Sequence, residues 1–162
     1  MKQLGIALLV CVSFLTACQK QPSATTSSVS NEPPIDFPAV LQQAKSENKF
    51  VLLEFTGSDW CPPCIAMHEN VFSKPEFKEY IKPQTLYLVV DFPNDTPQSD
   101  AQKKANAALA EKFKAEAFPT FVLLNSEGAE IWRQVGGFAS TPAEFISAIE
   151  AAKKKSPATA TK

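Results

Sequence analysis

Two cysteines, Cys61 and Cys64, lie three positions apart in the segment Trp60-Cys61-Pro62-Pro63-Cys64. At this spacing their sulfur atoms lie about one helical turn apart on the same face of a helix, within reach of each other. Free amide N–H groups at the start of a helix stabilise a thiolate and lower the pKa of the thiol. We therefore predict that Cys61 is an exposed nucleophile. Cys64 then resolves the mixed disulfide that Cys61 forms with a substrate.

His68, the only histidine, follows Cys64 by four positions and Cys61 by seven, so all three side chains can share one helix face. A closed zinc site takes four ligands, however, and no second cysteine pair is available. We expect no metal and no organic cofactor, with His68 at the surface or in packing. A metal-delivery protein that uses these three residues stays open as an alternative, as does a partner-binding module without catalysis.

The other two cysteines, Cys11 and Cys18, belong to the N-terminal segment. A lysine at position 2 precedes an apolar run over 4–14, which is shorter than the ~20 residues that span a bilayer and fits an export signal. The tetrapeptide Leu-Thr-Ala-Cys that ends at Cys18 resembles the bacterial lipobox. That resemblance implies a lipoprotein signal peptide over residues 1–17 and lipid on Cys18. A plain secretory signal or an uncleaved anchor is the alternative.

Composition divides the remaining chain into a linker, one domain and a tail. Residues 18–34 hold the lipidated cysteine and a Ser/Thr/Pro-rich linker with too few apolar residues to fold. The domain, residues 35–152, carries ten basic and sixteen acidic side chains. Residues 153–162 read as a polar, basic, solvated tail. A formal net charge of −1 gives no basic excess of the kind that marks a nucleic-acid binder.

Hydrophobic periodicity and capping signals predict the elements that position the two cysteines. The predicted helices cover residues 36–48, 61–71, 73–82, 99–115 and 141–153, and the predicted strands cover 50–55, 85–92, 120–125 and 129–135. The first two strands are joined through helices and should be parallel, whereas the last two form a hairpin. The fold class is therefore α/β, with a central mixed sheet of about four strands and helices on both faces. The phenylalanines of this region are expected in the core, namely Phe37, Phe50, Phe55, Phe72, Phe77, Phe113, Phe121 and Phe145.

The Trp-Cys-Pro-Pro-Cys segment at a strand-to-helix junction resembles the active site of the thioredoxin superfamily. The segment Ala-Phe-Pro-Thr over 117–120 resembles that family's cis-proline loop. The resemblance implies a thioredoxin-like fold over 35–152, a cis peptide bond before Pro119, and Phe118 offering backbone groups to a substrate. It also places the substrate beside Trp60, Pro62 and Pro63. The longer stretch over 57–80 resembles exported proteins that include the C-terminal domain of DsbD-type reductases.

Two carboxylates interrupt or end the predicted strands. Glu54 lies within the apolar run over 50–55, where a buried carboxylate is costly unless it has a purpose. The thioredoxin resemblance implies that Glu54 is a proton relay to the resolving cysteine. Asp91 comes late in its own strand, and we expect it to be solvated.

These inferences lead to one expected function, that of a membrane-tethered thiol–disulfide oxidoreductase. Cys61 reacts with protein disulfides, Cys64 resolves, Glu54 moves the proton and Pro119 shapes the substrate groove. The DsbD resemblance favours reduction, with an upstream thiol redox partner as electron donor. We expect a monomer in the bacterial cell envelope that is anchored through Cys18 and faces the periplasm or the extracellular side. Gln19 after the lipidated position favours the outer membrane.

Overall fold

The computed structural model describes residues 33–155, which form one four-stranded sheet with helices on both faces. In chain order the elements are α1 (Phe37–Glu47), β1 (Phe50–Thr56), α2 (Pro62–Met67), a π-helical turn (His68–Phe72), α3 (Pro75–Ile81), β2 (Thr85–Asp91), α4 (Asp100–Phe113), β3 (Thr120–Leu124), β4 (Glu130–Val135) and α5 (Pro142–Lys155). The predicted signal peptide, the lipidated Cys18 and most of the predicted linker lie outside the described residues. The predicted helix over 61–71 is divided here into α2 and the π-helical turn.

The strand order in the sheet is β2-β1-β3-β4. β1 pairs with β2 in parallel and with β3 antiparallel, and β3 and β4 form the predicted hairpin. β1 is internal and all seven of its residues are buried, as its apolar run predicts. The apolar run over 85–92 predicts a second strand that is buried on both faces. This prediction is wrong, because β2 lies at the edge of the sheet and Val89 is exposed there.

Two apolar clusters cover the two faces of the sheet. Alternate residues of β1 point to opposite faces. Phe50 and Leu52 join the cluster under α2, the π-helical turn, α3 and α5. Val51, Leu53 and Phe55 join the cluster under α1 and α4. All eight phenylalanines predicted for the core are buried, which confirms that prediction.

Side-chain caps begin several helices where the sequence places them. Asp36 accepts a hydrogen bond from the Ala39 amide and so caps α1, and Ser99 caps α4 in the same way. The segment Ser-Lys-Pro-Glu over 73–76 predicts a capping box at the start of α3. That box does not form, because the π-helical turn carries helical backbone up to Ser73. The Ser73 hydroxyl therefore donates to the carbonyl oxygen of Glu69, and α3 begins without a side-chain cap.

The C-terminal boundary of the domain lies beyond the predicted one. α5 continues to Lys155, and Lys153 is 7% exposed. The Nζ of Lys153 donates to the hydroxyl of Tyr80 at 3.0 Å and lies 5.0 Å from the ring centre of Phe50. Assigning residue 153 to a solvated tail is therefore wrong, since its long aliphatic stem packs on the core while its ammonium group finds a polar partner.

None of the helices between residues 33 and 155 combines the length and the apolar character that crossing a bilayer requires.

Candidate active site

The two cysteines of the motif lie where β1 gives way to α2. Cys61 is the N-cap residue of α2, and its amide donates to the carbonyl oxygen of Gly57. Pro62 and Pro63 are exposed in the first turn, where a missing N–H group leaves no backbone acceptor unsatisfied. The Cys64 amide donates to the Cys61 carbonyl oxygen. The first turn therefore offers fewer free amide groups near the Cys61 sulfur than the sequence argument assumed.

Cys61 and Cys64 form a disulfide, with an S–S distance of 2.03 Å and a Cα–Cα distance of 5.2 Å. The contact between the two sulfur atoms, which the helical spacing predicts, is confirmed. The two residues are only 3% and 1% exposed. The predicted exposure of Cys61 is therefore wrong for the oxidised form, in which its side chain turns toward Cys64 rather than toward solvent.

An aromatic wall lies beside the disulfide and consists of Trp60, Phe92 and Phe118. Trp60 is 43% exposed, and its indole Nε1 donates to the carbonyl oxygen of Phe92. The Phe118 ring meets the indole edge-on at 5.9 Å and stacks on Phe92 at 5.1 Å. The peptide bond between Phe118 and Pro119 is cis, as the family resemblance implies, and Pro119 is buried. The wall brings the proline loop next to the turn that carries Cys61.

Gly57 leaves room for the indole of Trp60. A Cβ atom at position 57 would lie 2.4 Å from Cε2 of that indole, far closer than packed atoms approach. On the other side of the motif, a Cβ on Gly137 would meet Pro63 at ordinary contact distance, so the loop after β4 also lies against the first turn of α2.

Polar residues of the turn before Cys61 anchor it to the chain that follows β2. The Asp59 carboxylate accepts hydrogen bonds from the amides of residues 94, 95 and 96. These bonds, that of Asn94 first, lower the pKa of the Asp59 carboxyl. The Asp91 carboxylate accepts from both the amide and the hydroxyl of Ser58. Asp91 is half-buried, and its carboxylate anchors this turn to the end of β2.

Glu54 is a buried carboxylate on the sheet face that α2 covers. It is 3% exposed, and its alternation along β1 puts it on the same face as Leu52. The pKa of the Glu54 carboxyl is raised to about 7, chiefly by burial. The charge of Asp91 adds to this rise, and the hydrogen bond that Tyr87 donates opposes it. Burial, together with the Glu54 charge, raises the pKa of the Tyr87 hydroxyl well above its ordinary value.

A cavity of about 740 Å³ lies between β2 and the helices on that face. Glu54 and Cys64 both line it, which brings the predicted relay and the predicted resolving cysteine to one space. Most of its wall is apolar, and the side chains that form this apolar part include Ile65, Phe72, Phe77, Leu86 and Val89. Sequence reasoning missed Tyr87, Asp59 and Ser58. The polar turn Gly-Ser-Asp before Trp60 was the one available signal for the last two.

His68 does not join the two cysteines in a ligand set. It is exposed at the start of the π-helical turn, whereas Cys64 is buried and disulfide-bonded. Within residues 33–155, no three His, Cys, Asp or Glu side chains are grouped so that they could hold a metal ion. No geometry in this part of the chain favours the metal-delivery alternative.

Comparisons with known proteins agree with this architecture. The model of a family described as thioredoxin-like domain matches residues 37–153. The disulfide bond reductase DsbH of Chlamydia pneumoniae is 28% identical over 159 residues, which cover 93% of this chain and 95% of that protein. A solved structure of a DsbH oxidoreductase superposes with a TM-score of 0.68 at 28% identity, covering 86% of this chain and 95% of its own.

The C-terminal domain of DsbD from Neisseria meningitidis, in the oxidised form, shares the fold with a TM-score of 0.52 at 20% identity. That match covers 71% of this chain and 91% of the domain. The predicted fold class, a mixed four-stranded sheet with helices on both faces, is confirmed by these matches.

Proposed function

Since this chain belongs to the thioredoxin-like domain family and carries the Cys61–Cys64 pair of a thiol–disulfide oxidoreductase, we propose that it reduces disulfides of other proteins in the bacterial cell envelope. The observation that carries the proposal is the placement of this disulfide at the start of α2, beside the aromatic wall and the loop of Pro119. The name of the similar Chlamydia protein, a disulfide bond reductase, supports the reducing direction.

The reaction begins with the reduced pair. The Cys61 thiolate attacks one sulfur of a partner's disulfide, forms a mixed disulfide and releases the partner's other sulfur as a thiolate. Cys64 gives its proton to Glu54 and attacks the Cys61 sulfur. The Cys61–Cys64 disulfide forms as the bond between Cys61 and the partner breaks. Two electrons thereby pass from the cysteine pair to the partner, and an upstream thiol redox partner restores the reduced pair.

Substrate contact falls to the residues around the disulfide. The exposed indole of Trp60 and the exposed rings of Pro62 and Pro63 offer an apolar surface. Phe118 supplies backbone groups for an extended segment of the substrate, and Pro119 shapes the groove. The apolar side chains around the buried disulfide favour a protein as substrate, because a docking protein can displace water from them.

The location is proposed from the N-terminal sequence. The Leu-Thr-Ala-Cys tetrapeptide supports cleavage before Cys18 and lipid on that residue, which would tether the domain to a membrane facing the periplasm or the cell exterior. Gln19 favours the outer membrane. Metabolic labelling with a fatty acid should mark the wild-type protein and leave Cys18→Ala unlabelled, and equal labelling of both would contradict this assignment.

Trapping of mixed disulfides tests the catalytic proposal. Cys64→Ala, expressed in the native envelope, should accumulate mixed disulfides between Cys61 and partner proteins, because the resolving thiol is missing. The double variant Cys61→Ser/Cys64→Ala is the matched control and should trap nothing. Absence of any trapped partner, or unchanged function of Cys61→Ser in cells, would favour a binding module instead.

The direction of electron flow has its own measurement. The reduction potential of the Cys61–Cys64 pair, set beside its redox state in cells, distinguishes a reductase from an oxidase. A pair that is mostly reduced in an oxidising envelope requires a dedicated electron supply, whereas a mostly oxidised pair with a high potential would contradict reduction.

A further inference from the structure

Tyr87 and Glu54 are partners across the parallel pair that the edge strand β2 forms with β1. In the register of β1 and β2, Tyr87 pairs with Leu52 and Glu54 pairs with Val89. The two side chains are therefore two register positions apart and emerge on the same face of the sheet. The Tyr87 hydroxyl donates a hydrogen bond to the Glu54 carboxylate. Tyr87, Glu54 and Cys64 all line the same cavity behind the disulfide.

We propose that Tyr87 is a positioning residue for the redox reaction, whose hydroxyl holds the Glu54 carboxylate at the cavity wall in the form that accepts the Cys64 proton. This inference rests on the proposed function, since it gives a second residue to the proton step of the same site. Tyr87 acts on the sulfur chemistry only through Glu54.

The Tyr87 hydroxyl opposes the rise that burial causes in the pKa of the Glu54 carboxyl. A carboxylate without a donor in an apolar site takes up a proton, and a protonated carboxyl cannot serve as a base. A donated O–H bond stabilises the charged form and keeps part of the Glu54 population deprotonated near neutral pH. β3 opposes Glu54 with the uncharged Phe121. The titratable groups that face this region from the packed elements are Asp91 of β2, Cys64 of α2, His68 and Glu69 of the π-helical turn, Lys78 of α3, and Lys82 directly after α3.

The proton step balances with these groups alone. The Cys64 thiol transfers its proton to the Glu54 carboxylate, and the resulting thiolate attacks the Cys61 sulfur while the partner's sulfur leaves with the bonding electrons. Glu54 then releases the proton to solvent through the cavity, which reaches the surface past exposed side chains that include Lys78 and Lys82. Tyr87 keeps its own proton throughout, since the pKa of its hydroxyl is raised well above the ordinary value.

Tyr87→Phe removes the donor and leaves the ring that packs against Phe72 and Phe77. Tyr80→Phe is the matched control, because Tyr80 is the only other tyrosine and its hydroxyl donates to the carboxylate of Glu150, outside the cavity. Carbon-13 NMR of the oxidised protein follows the Glu54 carboxyl through a pH titration. We expect the midpoint to rise by about one pH unit in Tyr87→Phe. Tyr80→Phe should leave it unchanged.

A second measurement follows the sulfur chemistry. The rate at which Cys64 resolves a preformed mixed disulfide should rise with pH in wild type as Glu54 deprotonates. In Tyr87→Phe, the pH at which the rate rises should increase by the same amount as the Glu54 titration midpoint. At pH 7 the rate should then be about fivefold lower than in wild type. In the Glu54→Gln background, Tyr87→Phe should change nothing further, because the residue through which it acts is gone.

A modified tyrosine should shift the Glu54 titration midpoint in the opposite direction. It tests the proposal even if Tyr87→Phe fails to fold. In the Tyr80→Phe protein, Tyr87 is the only tyrosine, so 3,5-difluorotyrosine supplied in growth enters at this position alone. Its more acidic hydroxyl is a stronger donor and should lower the Glu54 titration midpoint.

The proposal would be overturned if the titration midpoint of Glu54 changed neither in Tyr87→Phe nor with difluorotyrosine at position 87. It would also be overturned if the midpoint changed while the pH dependence of the resolution rate did not. A wild-type protein that exchanges no disulfide at any pH would overturn the proposed function instead. In that case a shifted midpoint would still support the hold of Tyr87 on Glu54.

Discussion

The indole Nε1 of Trp60 donates a hydrogen bond of 2.6 Å to the main-chain carbonyl oxygen of Phe92. The residue directly before Cys61 is thereby fixed to the first residue after β2, while much of its ring stays in solvent. A fixed and exposed aromatic side chain loses little conformational entropy when a partner covers it, which makes it a good contact for a protein substrate.

Replacing Trp60 should therefore affect protein substrates more than small ones. We expect Trp60→Ala to raise KM for a protein disulfide on the order of tenfold, because the exposed indole surface and its edge contact with Phe118 are lost. Reduction of a small disulfide should change far less. Trp60→Phe keeps a ring but loses the hydrogen bond to Phe92, so its KM for the protein disulfide should lie between those of wild type and Trp60→Ala. An equal loss of activity on protein and small disulfides would instead indicate a structural role for Trp60.

Asp59 should control the order of the loop over residues 93–96. Its carboxylate accepts hydrogen bonds from three main-chain amides there, so Asp59→Ala should leave these amides without that acceptor. We expect hydrogen exchange at residues 94–96 to accelerate on the order of tenfold. Asp95→Ala removes an exposed carboxylate from the same loop and serves as the control. Because the pKa of Asp59 is lowered, the protection should persist below the pH at which an ordinary aspartate is protonated.

Glu54 makes the stability of the oxidised protein depend on pH. The pKa of its carboxyl is about 7 in the folded state against 4.5 as the reference, so the folded state binds the extra proton between these values. The contribution of Glu54 to the free energy of unfolding is fully present below about pH 4.5 and is lost as the pH rises through about 7. Glu54→Gln should raise the free energy of unfolding at pH 8 by on the order of 3 kcal/mol and leave it nearly unchanged at pH 4.5.

Denaturant unfolding at the two pH values measures this difference. Glu150→Gln, at a carboxyl whose pKa is lowered rather than raised, is the control and should not stabilise the protein at pH 8. Equal effects of Glu54→Gln at both pH values would contradict the assignment of a buried carboxyl with a raised pKa.

Lys153 and Lys154 should differ sharply although they are neighbours in a run of lysines. Lys153→Ala removes the buried stem, the hydrogen bond to Tyr80 and the contact with the Phe50 ring, and should destabilise the domain by about 1 to 2 kcal/mol. Lys154 is exposed, and Lys154→Ala should be close to neutral. Thermal unfolding of the two variants measures the difference, and equal values would mean that residue 153 adds nothing to the fold.

Sequence reasoning reaches the features of this site that local patterns determine. The contact between Cys61 and Cys64 follows from helix spacing, and the burial of β1 follows from an apolar run that only Glu54 interrupts. The cis bond before Pro119 was inferred from the resemblance of a short motif. Each of these depends on residues that are close together in the chain.

The features that sequence reasoning misses depend on contacts between distant residues. Tyr87 and Glu54 are 33 positions apart and meet only through the register of β1 and β2, which no local pattern determines. Asp59 reaches amides 35 to 37 positions away. Lys153 has the same neighbours in sequence as any charged tail, and its burial depends on Tyr80, 73 positions earlier.

The closeness of Gly57 to the indole of Trp60 limits how relatives of this protein can vary. A single methyl group at position 57 would collide with the largest side chain of the site. Among relatives with a turn of the same length before the first cysteine, a residue larger than glycine at position 57 should therefore accompany a smaller residue than tryptophan at position 60. The two positions should change together across such sequences, and the pairing records a steric constraint rather than a requirement of sulfur chemistry.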